Sequence, residues 1–137
     1  MAQRVFTFMK LGMDPSAKPL IFVVDDEPLL LELAAALLEP AGFVVKTFRD
    51  PDAALQAFTA AKPRPDVVIT DYAMHQMTGL DLIRGCRQIN PKQKIILVSG
   101  TVDEDVYVYS RVKPDRFLAK PYQAKQLIGL VQALLAD

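Results

Sequence analysis

Residues Ile21-Phe22-Val23-Val24-Asp25-Asp26-Glu27-Pro28 decide the fold: a short apolar run rich in β-branched residues ends in an acidic cluster, and a proline follows. An unbroken apolar run suits a strand covered on both faces. Pro28 suits the first turn of a helix, where its missing N–H would have had no partner. The strand therefore hands over to a helix where the carboxylates crowd. In an α/β sheet the carboxyl ends of the strands are where ligands bind, and like charges packed there repel unless a cation lies between them. A divalent cation is the first expectation.

Four more runs of the same character follow, at Phe43 to Thr47, Val67 to Thr70, Lys94 to Val98 and Arg116 to Ala119, while Leu20 to Val24 forms the first. Helical stretches separate them. The first is expected over Pro28 to Glu39, stopped by Pro40-Ala41-Gly42, and the second from Pro51 through about Ala61. Leu80, Ile83 and Arg87 mark a third, in which Gly85 costs on the order of 1 kcal/mol relative to alanine. A fourth is expected near Asp103 to Val112, although that stretch is rich in β-branched and aromatic residues and ends at Lys113-Pro114. The last is the clearest, with Leu127, Leu130, Val131, Leu134 and Leu135 on one helical face. Strand and helix alternate five times, which predicts right-handed crossovers and a doubly wound α/β fold. The expected architecture is a five-stranded parallel sheet of order 2-1-3-4-5 in a flavodoxin-like three-layer sandwich, with its switch point between strands 1 and 3.

The chain's 137 residues fit one domain, and an apolar share of 51% is enough for a core. Sixteen basic and sixteen acidic residues cancel, so no net field draws the protein to nucleic acid or an anionic membrane. Any partner must be recognised locally. The single cysteine, Cys86, excludes an internal disulfide and fits a reducing cytoplasm. No apolar run reaches the roughly 20 residues that span a bilayer. Residues 1–18 read as an N-terminal extension or tail without a signal-peptide core, and residues 19–137 as the domain.

On that sheet Asp25, Asp26, Asp71, Ser99 and Lys120 all fall at the carboxyl ends of strands 1, 3, 4 and 5. Asp71 is the nucleophile candidate, because a carboxylate can accept a phosphoryl group as an acyl phosphate. Charge developing on the phosphoryl oxygens calls for Mg²⁺ and a cationic side chain more than for proton transfer. Asp25, Asp26 and Asp71 would supply the hard oxygen ligands that Mg²⁺ prefers, together with a backbone carbonyl. Lys120 would supply the point charge, and the Ser99 hydroxyl a hydrogen bond to a phosphoryl oxygen.

Five motifs now stand in order: Val23-Val24-Asp25-Asp26-Glu27-Pro28, Val68-Ile69-Thr70-Asp71-Tyr72-Ala73-Met74, Met77-Thr78-Gly79-Leu80, Leu97-Val98-Ser99-Gly100 and Phe117-Leu118-Ala119-Lys120-Pro121. In this order and spacing the chain resembles a response-regulator receiver domain of the chemotaxis-regulator type, across residues 19 to 136. The resemblance implies that Asp71 is phosphorylated by a histidine kinase or phosphotransfer protein in two-component or phosphorelay signalling. It implies Mg²⁺ on Asp25, Asp26, Asp71 and the Ala73 backbone carbonyl, with Ser99 and Lys120 contacting the phosphoryl group. It further implies that Ser99 and Phe117 switch, that the Lys120–Pro121 bond is cis, and that the protein is a cytoplasmic switch and no enzyme beyond its own phosphorylation and dephosphorylation. Output would pass to a downstream protein from the face of the fourth helix, strand 5 and the last helix, as a monomer or weak homodimer. No helix-turn-helix follows the last helix before Asp137, so direct nucleic-acid contact is not expected of this chain, and the balanced charge and lack of a long apolar run give no expectation of membrane contact.

Three positions depart from the pattern. Ala73 replaces a longer or polar side chain, which bears on access of water to the acceptor. His75 replaces a proline and brings a titratable group near the site. Arg111-Val112-Lys113-Pro114-Asp115 lacks the usual Gly-Ala before strand 5, so the fourth helix is expected to be short, shifted or irregular. Plainer readings also exist: Asp26 and Glu27 as helix caps, Ser99-Gly100 as a turn, Lys120 and His75 as solvated loop residues, Cys86 as a packed side chain. Two other functions fit part of the pattern. A receiver-like scaffold would work without phosphorylation, and a small Mg²⁺-dependent phosphohydrolase of the haloacid-dehalogenase type would want Asp-x-Asp where this chain has Asp25-Asp26-Glu27.

Overall fold

The computed structural model describes residues 17–137. The extension assigned to residues 1–18 lies almost wholly outside the described residues. Five parallel strands, β1 (Leu20–Val24), β2 (Val44–Phe48), β3 (Val67–Asp71), β4 (Lys94–Ser99) and β5 (Arg116–Ala119), form one sheet in the order β2-β1-β3-β4-β5. Four α-helices connect and flank them: α1 (Pro28–Leu38), α2 (Pro51–Ala60), α3 (Gly79–Ile89) and α4 (Ala124–Ala136). The expected order and three-layer architecture are present.

Alternation along each strand divides the core in two. Ile21, Val23, Val67, Ile69, Ile96 and Val98 meet Leu31, Ala34 and Leu38 of α1 and Leu127, Val131 and Leu134 of α4 on one face. Phe22, Val24, Val68, Ile95 and Leu97 meet Ala54 and Phe58 of α2 and Leu82, Ile83 and Cys86 of α3 on the other. Successive side chains in a strand point to opposite faces, so a run that is apolar throughout must be covered on both. All five residues of β3, the central strand, are buried. The edge strand β2 is mostly exposed.

Local chemistry sets the ends of the helices. Pro28 opens α1, and Glu27 stands at its N-cap without a side-chain capping bond. Glu27 is therefore an entry residue. Gly42 has φ 103°, the only positive φ among the described residues, and turns the chain out of α1 towards β2. The Asp50 carboxylate caps α2 by accepting the Asp52 N–H at 2.9 Å. Thr78 and Asp81 form a capping box at the start of α3, which holds the Asp81 carboxyl below its usual range. Gly85, costly to a free helix, faces Leu55 of α2, whose side-chain carbons would lie 3.0–3.7 Å from a β-carbon there.

The structure corrects several expectations. Strand 2 starts one residue late, at Val44, because the Phe43 N–H still bonds back to the Leu38 carbonyl at 3.3 Å while its ring enters the core. The first two helices end at Leu38 and Ala60, short of Glu39 and Ala61. β3 and β4 extend to Asp71 and Ser99, so both polar residues end their strands. The fourth helix expected over Asp103 to Val112 is absent: a single 3₁₀ turn, Glu104–Val106, stands there. Its Val-Tyr-Val-Tyr sequence has low helix propensity, and the Asp103 carboxylate caps only the Asp105 N–H. The segment is anchored instead by Val106, Tyr107 and Val112 against the second core half. Arg87 of α3 also bonds the Lys113 carbonyl and the Asp115 carboxylate, the latter at 2.9 Å. No helix among the described residues is long and apolar enough to cross a membrane.

Candidate functional site

Parallel register brings the ends of β1, β3, β4 and β5 to one rim. Val24 pairs with Thr70, Asp71 with Val98, and Ser99 with Ala119, so Asp25, Asp71, Ser99 and Lys120 project from neighbouring strand ends. The rim is tightly braced. The Asp25 N–H donates to the Phe48 carbonyl at 3.0 Å, and the Lys120 N–H to the Ser99 carbonyl at 2.9 Å. The Gly79 N–H donates to the Tyr72 carbonyl at 2.7 Å, which ties the start of α3 to the loop after β3. A β-carbon on Gly79 would collide with the Asp71 carbonyl oxygen and the Leu97 side chain. Only glycine allows α3 to close on the strand that carries Asp71.

Lys120 is the hub. Its Nζ donates to Asp25 Oδ2 and to Asp71 Oδ1, each at 3.1 Å. The other oxygen of Asp25 accepts the Glu27 N–H at 3.0 Å. Asp25 and Asp71 are both buried, while Asp26 is half-buried. Asp25, Asp26 and Asp71 each offer one carboxylate oxygen within 4.8 Å of the others. Two such charges repel by about 3.5 kcal/mol at an effective dielectric of about 20, and one ammonium cannot balance three of them. Hard oxygen donors at this spacing, with a surplus of two negative charges, fit Mg²⁺.

Burial pushes the Asp71 carboxyl above its ordinary value; Lys120 opposes the rise by hydrogen bond and charge, and Asp25 adds to it. Burial also works against the Lys120 charge, but the hydrogen bonds and charges of Asp25 and Asp71 outweigh it and hold the ammonium above 10.5. The same ion pair thus helps both partners, and burial wins only at Asp71. The arrangement presents a carboxylate oxygen beside a fixed cation in a partly water-excluded site.

The remaining expected residues are placed less simply. Ser99 Oγ accepts the N–H groups of Thr101 at 3.1 Å and Val102 at 3.0 Å and lies 3.3 Å from Thr101 Oγ1, so its hydroxyl is engaged by its own loop. Ala73 is exposed and forms an antiparallel bridge with Thr78, which pins the backbone two residues beyond Asp71. Phe117, half-buried in β5, has its ring centroid 6.2 Å from that of Tyr107. The Lys120–Pro121 peptide is cis, as is Lys62–Pro63, which the sequence reading did not single out. The His75 side chain is 92% exposed, yet its Nε2 lies 3.6 Å from Asp26 Oδ2. Cys86 is buried in the second core half, and burial pushes its thiol up to about 12. It is a packing residue.

The chain matches the family model of the response regulator receiver domain over residues 21–132. It is 32% identical over 116 residues to the probable transcriptional regulatory protein TcrX of Mycobacterium tuberculosis, covering 84% of this chain and 49% of that protein. The chain spans about half the length of the first curated relatives it matches. Among solved structures, a response regulator receiver domain protein from Clostridium thermocellum superposes with a TM-score of 0.79 at 30% identity, covering 86% of this chain and 94% of that one. The response regulator TrrA from Thermotoga maritima, solved in complex with Mg²⁺-BeF, superposes with a TM-score of 0.77 at 29% identity, covering 85% of this chain and 99% of that one. The protein therefore belongs to the response regulator receiver-domain family, whose members are signalling switches of two-component systems rather than enzymes in the ordinary sense.

Proposed function

We propose that Asp71 accepts a phosphoryl group from the phosphohistidine of a histidine kinase or phosphotransfer protein. The observation that carries this reading is the Lys120 ammonium held at 3.1 Å from both Asp25 and Asp71. An Asp71 carboxylate oxygen forms the new O–P bond while the P–N bond to the donor imidazole breaks, its electron pair leaving with the nitrogen. A lysine already oriented by Asp25 meets the developing charge without reorganising. Asp25, Asp26, Asp71 and the Ala73 carbonyl would hold Mg²⁺, which when bound neutralises charge on the phosphoryl oxygens; the Mg²⁺-BeF complex of the Thermotoga maritima relative supports this. A groove of about 380 Å³ beside Lys120, lined by Leu30, Leu33, Gly100, Pro121 and Tyr122, offers the donor an apolar seat next to the acceptor.

The signal leaves through Ser99 and Phe117. A phosphoryl oxygen on Asp71 draws the Ser99 hydroxyl away from Thr101 and Val102, the loop after β4 follows, and Phe117 repacks against Tyr107. Balanced charge supports output by protein contact rather than direct nucleic-acid binding by this chain. We place this switch in the cytoplasm, where a histidine kinase presents its phosphohistidine.

The test is intact-mass analysis after incubation with Mg²⁺ and a small acyl-phosphate donor. Wild type should gain one phosphoryl group, and Asp71→Ala or added chelator should prevent it. Equal lack of modification in wild type and Asp71→Ala would favour the scaffold.

A further inference from the structure

The loop after β3 brings the chain's one imidazole to the acidic rim. Ala73 and Thr78 pair as an antiparallel bridge that fixes the base of this loop, and Met74 and Met77 pack against the second core half. His75 and Gln76, between those two anchors, are left exposed. His75 Nε2 stands 3.6 Å from Asp26 Oδ2. That exceeds the roughly 3.2 Å limit of an ordinary N–H···O hydrogen bond. It is close to the spacing of two ligand atoms on one metal: at metal–ligand distances of about 2.1 Å, neighbours lie about 3.0 Å apart in octahedral and about 3.4 Å apart in tetrahedral geometry. His75 and Asp26 also line one pocket of about 150 Å³, together with Arg49, Asp50, Pro51 and Gln76. At about 30 Å³ per water, it has room for a cation that keeps several of its waters. Asp26 is thus shared between this pocket and the cluster it forms with Asp25 and Asp71.

We propose that His75 is a further ligand of the cation held by Asp26, and that it tilts this site towards first-row transition metals such as Co²⁺, Ni²⁺ and Zn²⁺. Mg²⁺ takes hard oxygen ligands and gains little from an imidazole, whereas those ions bind one well. Asp25, Asp26 and Asp71 offer oxygen only, and His75 adds a nitrogen on the pocket side of Asp26. No other soft side chain competes for the role. The sequence has a single histidine and a single cysteine, and Cys86 lies buried in the core. A transition metal held this way shares Asp26 with Mg²⁺, so the two ions compete. The inference rests on the proposed cation site but not on phosphorylation of Asp71, and no phosphoryl donor enters its test.

Calorimetric titration of the intact, untagged chain with Co²⁺ and, separately, with Mg²⁺ tests it. His75→Ala should weaken Co²⁺ binding by about tenfold or more and change Mg²⁺ binding by less than about twofold. Diethyl pyrocarbonate, which carbethoxylates a free imidazole nitrogen, gives a second readout on the wild type. Saturating Co²⁺ should slow labelling of His75 by about tenfold or more, and saturating Mg²⁺ should leave it within about twofold, as read by peptide mass mapping. Circular dichroism checks that the variant folds. Equal losses of Co²⁺ and Mg²⁺ affinity would make His75 a positioning residue for the loop and overturn the proposal. Co²⁺ binding indifferent to His75→Ala, or labelling that Co²⁺ does not slow, would overturn it too. A wild type that binds neither ion would overturn the cation site itself, and with it both readings.

Discussion

The rim at the ends of β1, β3 and β5 and the connection between β4 and β5 are handled in opposite ways by one chain. At the rim Asp25 and Asp71 are buried, share one ammonium, and rise from strands whose residues are packed on both faces. In the connection the backbone makes only a three-residue 3₁₀ turn and the Tyr109 side chain lies in solvent. Repelling charges can be held together only where packing fixes the backbone beneath them. A segment outside the sheet can lose a helix without disturbing that geometry, because the Lys120 N–H bonds to Ser99 across the strand ends whatever the intervening chain does.

The largest expected effect breaks the contrast at its base. Ile96, fully buried in β4, should cost about 2–5 kcal/mol when cut to alanine, whereas Tyr109→Ala in the connection should change monomer stability by less than about 0.5 kcal/mol. Urea denaturation measures both; comparable losses would mean the connection supports the core. Next, Asp26→Ala should weaken Mg²⁺ binding by about tenfold or more, about 1.4 kcal/mol, with little change in melting temperature when the metal is chelated. Unchanged affinity in a calorimetric titration would remove Asp26 from the ligand set.

The smallest effect sharpens the electrostatics. Burial raises the Asp71 pKa above its ordinary 3.8, so the stability this group contributes is fully present below 3.8 and is lost as pH rises through the folded value. Without metal, Asp71→Asn should therefore melt above wild type at pH 7. The gap should close on acidification below the ordinary carboxylate range. Saturating Mg²⁺ should reverse the order, since only the charged form binds it. Thermal scans across pH, with chelator and with Mg²⁺, would show a metal-free Asn variant at or below wild type if Lys120 outweighs burial.

Much of this was legible in the residues. Continuous apolar runs alternating with helical stretches marked the strands and the doubly wound order, and the acidic and cationic residues at the strands' carboxyl ends marked the rim. The β4–β5 connection was legible only as a short, shifted or irregular element, because its actual path is set by Tyr107 packing near Phe117 and by Arg87 reaching Lys113 and Asp115, contacts distant in sequence. Phe43 misled for a similar reason, being buried without being in a strand. At the site the residue types were readable, but their partners were not. That Lys120 bridges Asp25 and Asp71, that Ser99 is occupied by Thr101 and Val102, and that His75 approaches Asp26 all depend on loops whose paths only the fold determines. The collision awaiting any side chain at Gly79 was equally hidden, although Met77-Thr78-Gly79-Leu80 was visible as a motif.

The central claim is that the carboxylate bridged by Lys120 to Asp25 becomes the acyl phosphate. Borohydride reduction of the protein after Mg²⁺-dependent phosphorylation converts an acyl-phosphate aspartate to homoserine, which peptide mass mapping locates. The account predicts homoserine at position 71 alone. Homoserine at position 25 or 26, or incorporated phosphate with position 71 unaltered, would contradict it.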